Sequence, residues 1–107
     1  MKKTGHRMGF HELEEQVKRQ AKKGKRIVVI QGLGFVGTAV AAVISSTKDA
    51  DDNPLYVVIG VDRPDAAGFL KVDSIEKGLS PVISNDLELP RIIAESKREG
   101  RLFATCC

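Results

Sequence analysis

Cysteine is almost absent from this chain of 107 residues. Only Cys106 and Cys107 occur, side by side, and adjacent thiols cannot build a disulfide framework. They also lack the spacing of a zinc site, so no metal ligand is expected. Long apolar runs are missing too, since none approaches the roughly 18 residues needed to span a bilayer. The basic N-terminus lacks the apolar core of a signal peptide. Nothing besides the cysteine pair supports lipid anchoring. These absences point to a cytoplasmic protein without a membrane partner. Histidine is scarce: His6 and His11 both lie in the basic leader and read as surface residues. The patterns H-E-x-x-H, C-x-x-C and G-x-S-x-G do not occur, and no catalytic residue is nominated.

A chain of this length makes one domain with a modest core. Its 42% apolar and 29% charged residues are those of an ordinary soluble globular protein. The net charge of +3 conceals an asymmetry. Residues 1–26 carry nine Lys/Arg against three Glu, and the remainder carries eight Lys/Arg against eleven Asp/Glu. A basic leader can touch nucleic acid or acidic lipid. Here no aromatic residues interleave the charges, so the leader reads as a solvated helix and no nucleic-acid partner is expected.

The spacing of Phe10, Leu13, Val17 and Ala21 predicts a helix over 9–23, preceded by weakly ordered residues 1–8. Its narrow apolar stripe should dock on the main domain or on a partner subunit. Glu14–Lys18 and Glu15–Arg19 stand at favourable i,i+4 spacing. Arg26 to Ile30 reads as a strand whose near-continuous apolar character suits burial on both faces. A helix over 35–46 and a polar, acidic loop over 45–54 lead to a second apolar strand, Leu55 to Val61. Two such strands joined by a helix make a βαβ unit. Helices are expected over 66–77 and 87–98, the latter with Pro90 in its first turn. A short third strand follows over 102–105.

Directly behind the first strand stands Gly32-Leu33-Gly34-Phe35-Val36-Gly37, which opens the first crossover helix. In this strand–turn–helix context a G-x-G-x-x-G pattern indicates dinucleotide binding rather than a merely structural turn. Gly32 permits the tight turn, Gly34 lets backbone amides approach a pyrophosphate, and Gly37 lets the helix pack close to the strand. The helix N-terminus adds amide donors and partial positive charge. Asp62 closes the second strand, where an acid accepts hydrogen bonds from the adenosine ribose. It lies 25 residues after Gly37, beyond the usual offset of about 20, and the acidic loop accounts for the excess. A carboxylate there repels the 2′-phosphate of NADP, which favours NAD, although the adjacent Arg63 can accommodate a phosphate. The plain alternative for Asp62 is a strand-end turn residue.

These landmarks continue downstream as Lys77-Gly78-Leu79-Ser80-Pro81-Val82 and Glu99-Gly100-Arg101-Leu102-Phe103-Ala104-Thr105. With the glycine turn and Gly60-Val61-Asp62, residues 27–105 resemble the NAD-binding part of the UDP-glucose/GDP-mannose dehydrogenases. The resemblance implies phosphate contacts at Gly32, Leu33, Gly34, Phe35 and Val36, a ribose contact at Asp62, and Thr105 close to the cofactor. It implies oxidation of the C6 alcohol of a UDP- or GDP-sugar to the carboxylate. Family members do this with a cysteine, a lysine and an aspartate far downstream, a catalytic region this chain lacks. Ser84-Asn85-Asp86 and Cys106-Cys107 depart from the family pattern.

The expected architecture is α/β: a Rossmann-like parallel sheet of at least three strands in the order 3-2-1, flanked by helices. Residues 1–25 form a basic leader with an amphipathic helix, and residues 26–107 form a truncated, half-Rossmann NAD-binding domain. The outer edge of the first strand is left unpaired, so a homo-oligomer is expected. Two other readings share the glycine turn: a non-enzymatic NAD-sensing module and another β-hydroxyacid-type dehydrogenase.

Overall fold

The structure is a computed structural model that describes residues 10–106. His6, Cys107 and the weak order expected of residues 1–8 lie outside the described residues. Four helices and three strands follow in the order α1 (Phe10–Lys22), β1 (Arg26–Gln31), α2 (Phe35–Ser45), β2 (Tyr56–Asp62), α3 (Ala66–Glu76), α4 (Glu88–Arg98) and β3 (Leu102–Cys106). The strands form one parallel sheet, β1-β2-β3, which is the expected order read from the other edge. No helix among the described residues is long and apolar enough to cross a membrane.

Side-chain alternation along each strand divides the core into two layers. Val28 and Ile30 of β1, Val58 of β2, and Leu102 and Ala104 of β3 point to one face. There they meet α2 through Ala41 and Ala42, α3 through Val72 and Ile75, and α4 through Leu89 and Ile93. Val57 and Phe103 point to the other face, where Leu13 and Val17 of α1 cover them and Ile59 packs alongside. Among the described residues all three connecting helices therefore lie on one face, and α1 alone serves the opposite one. Its stripe of Leu13 and Val17 is buried as the spacing predicts, with Ala21 half-buried. Each buried aliphatic side chain contributes about 1.5–3 kcal/mol, enough to hold a short helix that would be marginal alone. The Glu14–Lys18 pair forms at 3.8 Å on its solvent side.

One expectation fails. The composition of β1 suits burial on both faces, yet Ile27 and Val29 are 48% and 59% exposed. The strand register places them beside Val57 and Ile59 on the α1 face. The helix covers β2 and β3 there and leaves the outermost strand open.

Candidate nucleotide-binding site

The carboxyl ends of β1 and β2 open into a cleft of about 300 Å³ lined by Gln31, Gly32, Val61, Asp62 and Arg63. The last ladder bond of the β1–β2 pair runs from Gly32 N–H to Val61 O at 2.7 Å, and the chain then turns sharply. Gly32 has φ +94°, a backbone conformation that a Cβ disfavours. A Cβ on Gly37 would stand 1.8 Å from the Gly32 carbonyl oxygen, so α2 starts where only glycine fits. Thr38 secures the same turn, its buried hydroxyl donating to Leu33 O at 3.0 Å.

Gly34 behaves differently. It caps α2 with no side-chain hydrogen bond, its φ of −76° suits any residue, and a Cβ there would meet nothing within 4 Å. No packing contact among the described residues demands a glycine at that position. The first N–H groups of α2 have no partner within their own helix, and no acidic residue stands in its first turn. The apolar side chains of Phe35 and Val36 stand beside this open end, 62% and 77% exposed.

Asp62 ties the two halves of the cleft together. Its Oδ2 accepts from Leu33 N–H at 2.8 Å and its Oδ1 from Arg63 N–H at 2.8 Å. The Lys71 ammonium lies 3.9 Å from Oδ2, and the Asp62 side chain is only 9% exposed. The Leu33 N–H bond holds the carboxyl below its ordinary value; burial opposes this, while the Arg63 N–H and the charges of Lys71 and Arg63 reinforce it. Each oxygen accepts one of these bonds and keeps a lone pair for a ligand hydroxyl.

That depression carries a pH signature. A carboxyl with a lowered folded pKa stabilises the fold fully above its unfolded value of about 3.9, and loses this as pH falls through the folded value. The melting-temperature difference between the parent and Asp62→Asn is therefore expected to be largest above the unfolded value and to shrink as pH falls through the lower folded one. A difference that stays constant across an acid titration would contradict the assignment.

Of the residues nominated from sequence, Gly32, Asp62 and Arg63 line the cleft, while Gly34, Phe35, Val36 and Gly37 form the adjoining helix start. The Leu33 side chain is fully buried, and its N–H belongs to Asp62. A phosphate at this turn would therefore meet the amides that follow it. Thr105 pairs in register with Val61 on the neighbouring strand and does not line the cleft. Sequence reasoning missed Lys71 and Thr38. Lys71 reaches Asp62 only because α3 folds back over β2, which no spacing in the sequence announces.

A likeness in fold accompanies this geometry. The structure is similar to that of an NDP-N-acetyl-D-galactosaminuronic acid dehydrogenase from Methanosarcina mazei Go1, with a TM-score of 0.62 and 22% identity over 87% of this chain. The fold is Rossmann-like. The matched region spans 18% of that dehydrogenase. No protein-family model and no curated protein sequence matches the chain.

Proposed function

We propose that these residues form the NAD-binding portion of a nucleotide-sugar dehydrogenase, one that oxidises the C6 alcohol of a UDP- or GDP-sugar to the carboxylate. The observation that carries the reading is the meeting of the strand-end carboxylate of Asp62 with the glycine turn across one cleft at the carboxyl end of the sheet. Dinucleotides bind at this end of a doubly wound sheet. The chain's residues fit NAD. The open N-terminus of α2 offers amides and dipole to the pyrophosphate, and Gly34 keeps the approach clear. Asp62 offers acceptors to the adenosine ribose and would repel a 2′-phosphate. NAD, when bound, supplies a hydride acceptor. The sugar-nucleotide substrate class is supported by the downstream landmarks around Pro81 and Thr105, together with the likeness in fold to a sugar-nucleotide dehydrogenase.

Calorimetric titration tests the cofactor assignment. The parent chain is expected to bind NAD measurably and NADP more weakly. Asp62→Ala should weaken NAD binding by about 10-fold or more, the loss of roughly two good ligand hydrogen bonds. Equal binding by parent and variant would remove the ribose assignment.

A further inference from the structure

The link that follows Asp62 is held on every side. Arg63 N–H donates to Asp62 Oδ1 at 2.8 Å. From the other direction α3 presses on the same main chain, because a Cβ on Gly68 would stand 1.8 Å from the Arg63 carbonyl oxygen. Pro64 fixes one backbone angle between them. Asp65 then caps α3, its Oδ1 accepting from Gly68 N–H at 2.8 Å. Its second oxygen lies 3.5 Å from Arg63 Nε and draws the guanidinium toward the start of α3. The rest of the Arg63 side chain is open, 83% exposed where it lines the cleft.

On the NAD reading given above, we infer that the Arg63 guanidinium is the wall on which the adenine base of the dinucleotide stacks. The covalent structure of the ligand sets the direction. The 2′- and 3′-hydroxyls lie between the two ends of the ribose, with the phosphate-bearing C5′ beyond one and the base on C1′ beyond the other. Asp62 takes the hydroxyls and the glycine turn takes the pyrophosphate. The base therefore projects past Asp62, on the side away from Gly32, and Arg63 is the cleft residue that lies there. A guanidinium is planar, more weakly hydrated than an ammonium, and stacks on aromatic faces.

A rival use of the same charge is pairing with a 2′-phosphate, and two neighbours oppose it. Asp62 accepts the Arg63 N–H, so a phosphate drawn to Arg63 meets that carboxylate as well. Asp65 already offsets the guanidinium charge. Nε lies on the edge of the planar group, so a partner there leaves its faces free. Stacking needs those faces and not the net charge.

Calorimetric titration of the 107-residue chain with NAD and with ADP-ribose, which carries adenine but no nicotinamide, tests this. Arg63→Ala should raise both dissociation constants about 5-fold or more. Arg63→Lys keeps the charge and loses the plane, and should bind as weakly as the alanine variant. Arg63→Tyr loses the charge and keeps a plane, and should return to within about 2-fold of the parent. All three change an exposed side chain and should keep the parent circular dichroism spectrum. Parent affinity in Arg63→Lys with loss in Arg63→Tyr would assign Arg63 to charge pairing and overturn the proposal. Parent affinity in Arg63→Ala, where Asp62→Ala binds weakly, would overturn the stacking alone and leave the NAD reading standing. A parent that binds neither ligand would remove both.

Discussion

Replacing Gly37 with alanine is expected to cost about 3 kcal/mol or more, lowering the melting temperature by roughly 12–20 °C for a domain of this size. The new methyl group would stand 1.8 Å from Gly32 O and 2.9 Å from Gly32 C. Carbon and oxygen do not approach closer than about 3.3 Å, so the helix start and the turn must separate by roughly 1.5 Å. Neither is free to yield. Gly32 is fixed by its bond to Val61 O, and Thr38 is fixed by its hydroxyl on Leu33 O. Alanine is the better helix former by about 1 kcal/mol, too little to offset the clash. Gly34→Ala provides the contrast, because its Cβ would meet open space. That variant should lose no more than about 1 kcal/mol of stability, the difference between glycine and alanine at an N-cap. It should still lose most of its NAD affinity, its methyl group occupying the space a pyrophosphate would take. Thermal melts and NAD titrations on both variants separate the two roles. If Gly34→Ala bound NAD as the parent does, the turn would not be a phosphate cradle.

The sequence pattern located every element of this fold to within about two residues, and the reasons are local. Apolar runs of strand length bounded by Gly, Pro or polar loops, and helical spacing such as Leu13–Val17, report on the backbone without reference to the rest of the chain. The glycine turn and Asp62 were legible for the same reason, since a strand–turn–helix junction has its own pattern. What could not be read depends on which face each connection takes. The exposure of Ile27 and Val29 follows from α2, α3 and α4 lying on one face of the sheet, and no single stretch of sequence encodes that. Lys71 meets Asp62, and Glu76 meets Ala104, only across a completed crossover. Arg101 was equally invisible. One charge among 31 Lys, Arg, Asp and Glu residues, it is 1% exposed, a burial that no local pattern announces.

Arg101→Met should cost about 1–3 kcal/mol, and the physical reason lies at the far end of α2. The Arg101 guanidinium donates to the Ser45 carbonyl at the helix C-terminus and to Glu99 Oε1 at 3.0 Å, with Glu95 4.0 Å away. The last turn of α2 has no basic residue of its own, so Arg101 supplies the cation that complements the negative end of the helix dipole. Two effects oppose each other on replacement. Methionine fills much of the same volume and spares the cost of burying a guanidinium, which in other proteins can leave such a change neutral. Against that, the buried Ser45 carbonyl is stranded, at about 1–3 kcal/mol. Glu95 and Glu99 are both partly exposed and recover water, so they add little. The stranded main-chain group therefore decides the sign. Arg101→Lys, which cannot serve Ser45 and Glu99 together, should fall between parent and methionine in urea midpoint. The eleven residues of α2 place Ser45 about 16 Å from the glycine turn. NAD affinity should consequently be unchanged in Arg101→Met at temperatures where it remains folded. A loss of affinity matching the loss of stability would mean that the two ends of α2 do not act independently.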